Sequence, residues 1–336
     1  MSVKTPITEL DFDGIKAQLK SYLQNQTKFK DYDFEGSNMS VFLDVLSYNT
    51  FMNNFYTNMA INEMFLDSAL LRNSIVSHAK ELNYLPRSRR SARAVVRITI
   101  NDPSGVIEGS TYAIPVYSEF VTTVKGTNYT FITDKIHIAR KTAPGVFQSD
   151  EITIYEGEIL DSFEREGFIV DENGVLRVVL NNDTIDTETM EVFVDAEQTD
   201  DQNIYTRVND VFGVGPTDKV FYVEPYFDNT YAVYFGNNVF GQQPEPQEDV
   251  RVRYRACSGA DPNGASSFSA SFIDDASITV TTVTPAYGGL ERESIESIRF
   301  FAPKSLQIQE RAVTARDYEV LLKQNFPEIN SVAVYG

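Results

Sequence analysis

Residues 41–66, VFLDVLSYNTFMNNFYTNMAINEMFL, decide how the first quarter of this chain folds. They lie within a longer stretch of helical periodicity, Asp33 to Pro86. Val41, Val45, Tyr48, Met52, Phe55, Met59 and Leu66 follow one another at steps of 4, 3, 4, 3, 4 and 7 residues, which stacks them on one stripe of a helix. An ideal helix puts Asn49, Asn53, Asn54, Asn58 and Asn62 on its other side, with Thr50 and Thr57 among them. Solvated helix backs are usually richer in Lys and Glu. The periodicity fits a core helix with an Asn-rich exposed face. It fits equally a bundle helix with partners on more than one side, including other chains.

The residues that follow favour the second reading. Asp67 and Ser68 are placed to cap a further helix whose inner positions are Leu71, Ile75, Ala79 and Leu82, with Pro86 as its stop. Burying one such seam does not offset the conformational entropy of ordering the whole hairpin, so the segment needs something to pack against. Ile15, Leu19, Tyr22 and Leu23 mark a shorter amphipathic helix ahead of it, from Asp11 to Gln26, and Ser37 or Asn38 can cap the main helix.

Composition excludes several function classes. With 336 residues the chain is long enough for two or three domains. A net charge of -19 repels phosphate backbones, which argues against nucleic acid and anionic membrane as partners. The single cysteine, Cys257, rules out an intrachain disulfide framework and is expected as a small strand residue. Met1 to Leu10 has neither the basic start nor the apolar core of a signal peptide, and the uncharged run around Val45 to Asn62 is too rich in asparagine to cross a bilayer. A soluble, non-secreted chain is expected.

From Ala94 to about Pro285 the hydrophobic period becomes two. Val96, Ile98 and Ile100 alternate, as do Ile152 and Ile154, then Val192 and Val194, with Val116, Phe120 and Val124 on weaker evidence. Turn sequences punctuate the run at Asp102-Pro103-Ser104-Gly105, Lys125-Gly126-Thr127-Asn128, Glu172-Asn173-Gly174 and Gly236-Asn237-Asn238. This pattern predicts β modules of sandwich or barrel type. Asp183, Asp186, Glu188, Glu191, Asp195, Glu197, Asp200 and Asp201 have no calcium-loop spacing and are expected on solvated edges and loops. Five arginines, Arg87, Arg89, Arg90, Arg93 and Arg97, open the β region. They suit carboxylates on a neighbouring subunit, although pairing with the chain's own acids is preferred. After Gly288-Gly289 helical periodicity returns through Ile295, Ile298 and Phe301 to Pro303. A last helix is expected from Thr314, capped with Asp317, to about Asn325, and a strand from Ile329 to Tyr335.

The chain lacks convergent catalytic chemistry. His78 and His137 have no metal-ligand neighbours at useful spacing, and neither a Gly-x-Ser-x-Gly nor a Gly-x-x-x-x-Gly-Lys sequence occurs. Gly213-Val214-Gly215-Pro216 is too short and wrongly flanked for a dinucleotide loop. No enzyme activity and no cofactor is expected. The rival reading is a tail adhesin or glycan-binding protein built on the β modules, using surface aromatics such as Tyr226 and Tyr231.

Several stretches, taken in order, resemble one family. They are Phe34-Glu-Gly-Ser-Asn38, Leu43-Asp-Val-Leu-Ser-Tyr-Asn49, Phe65-Leu-Asp-Ser68, Pro86-Arg-Ser88 with Ser91-Ala92, and Phe235-Gly-Asn-Asn-Val-Phe-Gly241. The last group is Gly288-Gly289, Glu293, Arg299, Ala302-Pro303, Arg311-Ala-Val-Thr314 and Asp317-Tyr318. The order resembles the amino-terminal portion of the baseplate wedge proteins of T-even-like contractile phages, within the baseplate J-like superfamily. The resemblance implies a structural virion protein, assembled in the host cytoplasm. In that family two copies join one long wedge partner through a helical bundle. Six wedges form a ring around the tail hub that touches other wedge proteins and the sheath-initiating protein and rearranges on contraction. It implies bundle contacts at Val41, Val45, Tyr48, Met52, Phe55 and Met59, joined by Leu71, Ile75 and Leu82; Leu66 extends the stripe. A hinge is expected at Pro86, Arg87 and Ser88, and Arg89, Arg90 and Arg93 are candidate subunit contacts. The family continues past the matched part, so a longer native protein is expected.

The expected fold is therefore α+β and multidomain. It has a helical assembly domain over 1–88, a β-rich middle over 89–285 divisible into two modules, and the start of a helix-strand domain over 286–336.

Overall fold

The computed structural model describes residues 11–29, 32–34, 36–102, 105, 107, 109–164, 168–170, 176–194, 203–209, 211–245, 248–273, 276–308, 311–326, 329 and 331–335. The chain begins with three helices, α1 (Phe12–Gln24), α2 (Met39–Glu63) and α3 (Arg72–Glu81). Asp11 caps α1 by accepting from the Asp13 amide at 3.2 Å. Helix α1 lies along α2, where Ile15 and Leu43 are buried and Lys16 pairs with Asp44. Asn38 is the N-cap of α2, without a side-chain capping bond.

Helix α3 starts later than Asp67 and Ser68 suggest. Its N-cap is Leu71, because the Glu63 carboxylate reaches forward and accepts from the amides of Leu70 and Leu71 at 2.8 and 3.2 Å. Ser68 instead donates its hydroxyl to the Asn62 carbonyl at 2.7 Å. The helix also ends before Pro86, since Asn83 adopts φ 54° and the Tyr84 amide closes back on the Ala79 carbonyl at 2.9 Å.

The β region holds two sheets, each of eight strands among the described residues. The first module comprises β1 (Arg93–Asn101), β2 (Thr111–Ile114), β3 (Glu119–Val124), β4 (Thr127–Thr133), β5 (His137–Ala143) and β6 (Val146–Glu156). The second is an insertion made of β7 (Glu158–Glu164), β8 (Phe168–Val170), β9 (Leu176–Leu180), β10 (Ile185–Val194), β11 (Ile204–Arg207), β12 (Val220–Pro225), β13 (Tyr231–Phe235) and β14 (Val250–Ala256). The chain then returns to the first module as β15 (Ser269–Ala270) and β16 (Ser277–Tyr287). Gly157 stands at the crossing with φ 112°, where a Cβ would collide with the Ala256 carbonyl oxygen.

Both modules curl towards barrels. In the first, the order is β15-β3-β4-β6-β1-β16, and the two ends of that path meet. Ala286 donates its amide to the Ala265 carbonyl at 2.8 Å, and Thr282 donates its hydroxyl to that of Ser266 at 2.8 Å. Val96, Ile98 and Ile100 point into its core with Phe120, Phe131, Phe147, Ile152 and Ile154. Lys125 and Gly126, both at positive φ, form the two-residue turn joining β3 to β4, whereas Val116 lies half-exposed in a turn of its own. In the second, the order is β7-β14-β10-β11-β12-β13-β9-β8, whose edge strands β7 and β8 follow each other in the chain. Glu164 and Phe168 are four residues apart, so these edges approach within about 14 Å. The Glu172-Asn173-Gly174 turn, with Asp195, Glu197, Asp200 and Asp201, lies outside the described residues.

Buried polar groups fasten the seam between the modules. Asp186, expected as a solvated acid, is buried, with Oδ2 accepting from the Ser91 amide and hydroxyl at 2.9 and 3.0 Å. Glu156 is buried too and accepts from the Ser258 amide at 3.1 Å. Arg255 donates to the Tyr155 carbonyl at 3.2 Å, with its guanidinium over the Tyr155 ring. Of the other described acids of that run, Glu188 pairs with Arg207 at 3.3 Å, Glu191 with Arg253 at 3.6 Å and Asp183 with Arg292 at 3.9 Å.

Two helices close the described chain. In α4 (Ile295–Ile308) Pro303, expected as a stop, sits inside the helix and forfeits one intrahelical bond. Ile298 and Ala302, one turn apart, are buried against α3 and hold the helix through that gap. Helix α5 (Ala315–Asn325) begins with the expected capping box of Thr314 and Asp317. Ile329 and residues 331–335 join neither sheet, because an isolated apolar run has no ladder without a partner strand.

Burial raises the pKa of both Asp186 and Glu156, against the hydrogen bonds that favour their charged forms. A carboxyl with a raised folded-state pKa stabilises fully below its unfolded pKa, and that contribution is lost as the pH rises through the folded value. The stability penalty of Asp186→Asn should therefore shrink as the pH is raised from about 4 to 7. Urea unfolding of both chains across that range measures it, and a constant penalty counts against the raised value.

Candidate assembly surface

Helix α2 separates a covered side from an open one. Leu43, Ser47 and Asn58 are buried. The opposite stripe faces solvent, with Val41 63%, Val45 61%, Tyr48 60% and Phe55 44% exposed, Met59 also exposed and Met52 half-buried. From Val41 to Met59 the stripe runs about 27 Å along the helix. Between the two sides lies a polar flank that bonds mostly to its own helix. Asn53 donates to the Asn49 side-chain oxygen at 2.8 Å, and Thr50 and Thr57 donate to the carbonyls of Leu46 and Asn53 at 2.9 and 2.8 Å. The asparagine side is thus partly covered within the chain, as Asn58 shows.

The open face is wider than its seven-residue spacing suggests. Phe42, Leu46 and Tyr56 flank the stripe and are exposed, and Met64, Phe65, Leu70 and Leu71 continue it into the loop before α3. Sequence reasoning missed all of these except Leu71. The signal was partly present, since Tyr56 adjoins the stripe on the helical wheel, whereas Phe42 and Leu46 lie further round, among Asn49 and Asn53.

The remaining positions singled out in the sequence have partners inside the chain. Ile75 is fully buried against α4 with Ala69, Ala79, Tyr84, Ile298 and Ala302, and Leu66 and Leu82 pack on that cluster. Leu71 alone of the α3 group is open. Pro86, Arg87 and Ser88, expected as a hinge, form a clamp. The Arg87 amide donates to Glu293 Oε2 at 3.0 Å, and the Pro86 carbonyl accepts from the Tyr231 hydroxyl at 3.4 Å. Ser88 is buried, accepts from the Thr187 amide at 3.0 Å and lies 2.9 Å from the Thr187 hydroxyl. The arginines are similarly engaged. Arg89 pairs with Glu291 at 3.4 Å, Arg90 exchanges backbone bonds with Leu290 at 3.0 and 3.1 Å, Arg93 lies over the Tyr287 ring, and Arg97 pairs with Glu151 at 3.2 Å.

Glu293 is the centre of this fastening. Its buried carboxylate accepts from the Tyr84 hydroxyl at 2.9 and 3.0 Å, from Arg87 N, and from the Ser297 hydroxyl at 2.5 Å, while its carbonyl accepts from Arg72 at 2.5 Å. Burial, then the Glu293 charge, pushes the Tyr84 hydroxyl well above the usual phenol range. A second buried carboxylate, Glu224 on β12, is held by Lys80 of α3 at 2.7 Å and Arg177 of β9 at 2.6 Å. Arg299 reaches from α4 to the carbonyls of Leu66 and Ala69 at 3.0 and 2.8 Å.

His78 and His137 are not brought together with any acid or thiol cluster, and among the described residues no group of three or more His, Cys, Asp or Glu could hold a metal ion. The buried Cys257 thiol is pushed up to about 12, by burial first. Of the surface aromatics, Tyr231 is buried and Tyr226 half-buried. No helix among the described residues is long and apolar enough to cross a membrane.

The three helices also carry the decisive likeness: residues 11–84 match the family described as baseplate wedge protein gp6-like, helical domain. The likeness of this segment is to a helical domain of that description. Beyond it, the chain is 28% identical over 347 residues to the baseplate wedge protein gp6 of Enterobacteria phage T4, an alignment spanning 95% of this chain and 50% of that protein. The chain thus spans about half the length of the curated relative it matches. A chain of the cryo-EM structure of the anti-feeding prophage (AFP) baseplate, 6-fold symmetrised, aligns over 97% of this chain and 66% of its own, at 15% identity and a TM-score of 0.35. The wedge-protein resemblance noted in the sequence is the one the gp6-like helical domain returns.

Placement separates two substitutions of similar chemistry. Phe55→Asp on the open stripe should change the unfolding free energy of the isolated chain by about 0.5 kcal/mol or less, and Ile75→Asp should cost about 3 kcal/mol or more. Urea titration followed by circular dichroism reads both, and a large loss in Phe55→Asp would mean the stripe is sheltered in solution.

Proposed function

We propose that this chain is a structural subunit of a contractile phage tail baseplate wedge. The observation that carries the reading is the uncovered apolar stripe of α2, within a gp6-like helical domain. The T4 relative is named a baseplate wedge protein, which supports the same role. The alternating four- and three-residue steps of Val41, Val45, Tyr48, Met52, Phe55 and Met59 are those of a coiled-coil seam. Exposed Tyr56 beside the seam, with Phe42 and Leu46 further round the helix, offers apolar contact to more than one partner helix. On this reading the stripe packs into a bundle with a second copy of the chain and a long wedge partner. Wedges then join into a ring around the hub that rearranges when the sheath contracts.

The clamp bears on how such a rearrangement proceeds. A bend at Pro86, Arg87 and Ser88 would break the bonds to Glu293 and Thr187 together, so we assign α3, the second β module and α4 to one moving body. The adhesin reading has less support, because the Tyr231 ring is buried and unavailable to a sugar.

Phe55→Asp and Val45→Asp should each abolish co-purification with the wedge partners while leaving the β modules folded. Sedimentation of the mixed components checks this. A normal complex from either variant removes the stripe from the interface.

A further inference from the structure

A second feature, independent of the stripe, lies where α3, the clamp, the β12–β13 turn and the segment before α4 meet. A cleft of about 10 Å3 opens there, lined by Arg72, Arg89, Asp183, Asn229, Tyr231 and Arg292 among others. That volume accommodates about one water-sized body. Four atoms of its lining residues are buried without a hydrogen-bond partner, namely Arg72 Nε, Arg89 Nε, Arg292 Nη1 and Asn229 Oδ1. The opposite edge of the Arg72 guanidinium is already used on the Glu293 carbonyl at 2.5 Å. Arg89 is committed to Glu291 at 3.4 Å, while Arg292 stands 3.9 Å from Asp183.

Burial first lowers the Arg72 pKa and Arg292 adds to it, against Tyr231 and Glu293, which raise it. Arg72, Arg292 and Arg87, with the Glu293 carboxylate among them, all act on the buried Tyr231 hydroxyl, which places these charges around one spot. Three guanidinium groups and one carboxylate line the cleft. Buried guanidinium donors left unpaired carry a desolvation cost. A water could accept from two of them, whereas a negative guest would also offset what the nearby carboxylates leave of the repulsion between Arg72 and Arg292. Turning the Asn229 amide over exchanges its oxygen for its nitrogen and supplies a third donor.

We propose that this cleft is an anion site, seating one chloride or one oxygen of a small inorganic oxyanion between Arg72, Arg292 and Asn229. The guest ties the start of α3 to the segment before α4 and to the β12–β13 turn. It adds an ion to the fastening around Glu293 and is independent of the assembly role.

The full chain, titrated with sodium chloride and separately with sodium phosphate at ionic strength fixed by sodium gluconate, should show a saturable rise in Tm. Arg292→Gln should weaken that response about tenfold or more, and Asn229→Asp should abolish it. Saturation by chloride alone identifies a halide site, and stronger saturation by phosphate an oxyanion site. An equal response in Arg292→Gln means an adventitious ion only and overturns the proposal. Should that variant fail to fold, bromide-soaked crystals of the unmodified chain decide the matter. An anomalous peak between Arg72 and Arg292 supports the site, and water density there without one sinks it.

Discussion

The Glu293 carboxylate is the constraint on which the rest of the arrangement depends. A buried carboxylate is tolerated only when donors converge on it. Here they come from separate parts of the chain: Tyr84 beyond α3, Arg87 in the clamp and Ser297 in α4. Burying this one charge therefore fixes the path from helices to strands and the position of α4. The Ile75 to Ala302 cluster beside it supplies apolar contact, and Glu224 repeats the device one strand away with Lys80 and Arg177.

The openness of α2 follows from that anchoring. Arg299 and Glu63 hold the loop after α2, and the buried residues of α2 lie away from its stripe. Chain that might otherwise fold over the stripe is committed elsewhere: α3 to α4 and β12, the clamp to Glu293 and Thr187. A large apolar surface is thus left uncovered by a molecule that is well fastened beside it.

How much was legible in the sequence depended on the range of the interaction. The α5 capping box and the alternation of Val96, Ile98 and Ile100 are written in residues three or four apart or fewer, and both appear as read; the α2 stripe does so from Val41 to Met59, while Leu66 turns to the cluster between α3 and α4. What escaped depends on distant partners. Asp186 looks like any surface acid until Ser91 is brought beside it, and Ser88 looks like a loop residue until Thr187 meets it. Ile75 carries the same helical signal as Val45, yet one faces α4 and the other solvent. Several pieces that carry the family resemblance, Glu293, Arg299 and Pro86-Arg-Ser88, are members of this fastening. Their significance was visible as likeness before their contacts could be known.

The insertion of one β module into the other also shapes how the molecule is made. Strand β1 emerges from the ribosome long before its partner β16, with the whole of β7 to β14 translated in between. The inserted module has its own core and can fold early, whereas β1 must wait with one edge unpaired. Glu293 arrives later still, so the helices at the front of the chain acquire their anchor only when synthesis has passed α4. Nascent chains will hold the apolar stripe beside an unfinished sheet for most of that time, an exposure that invites aggregation until one or the other is covered.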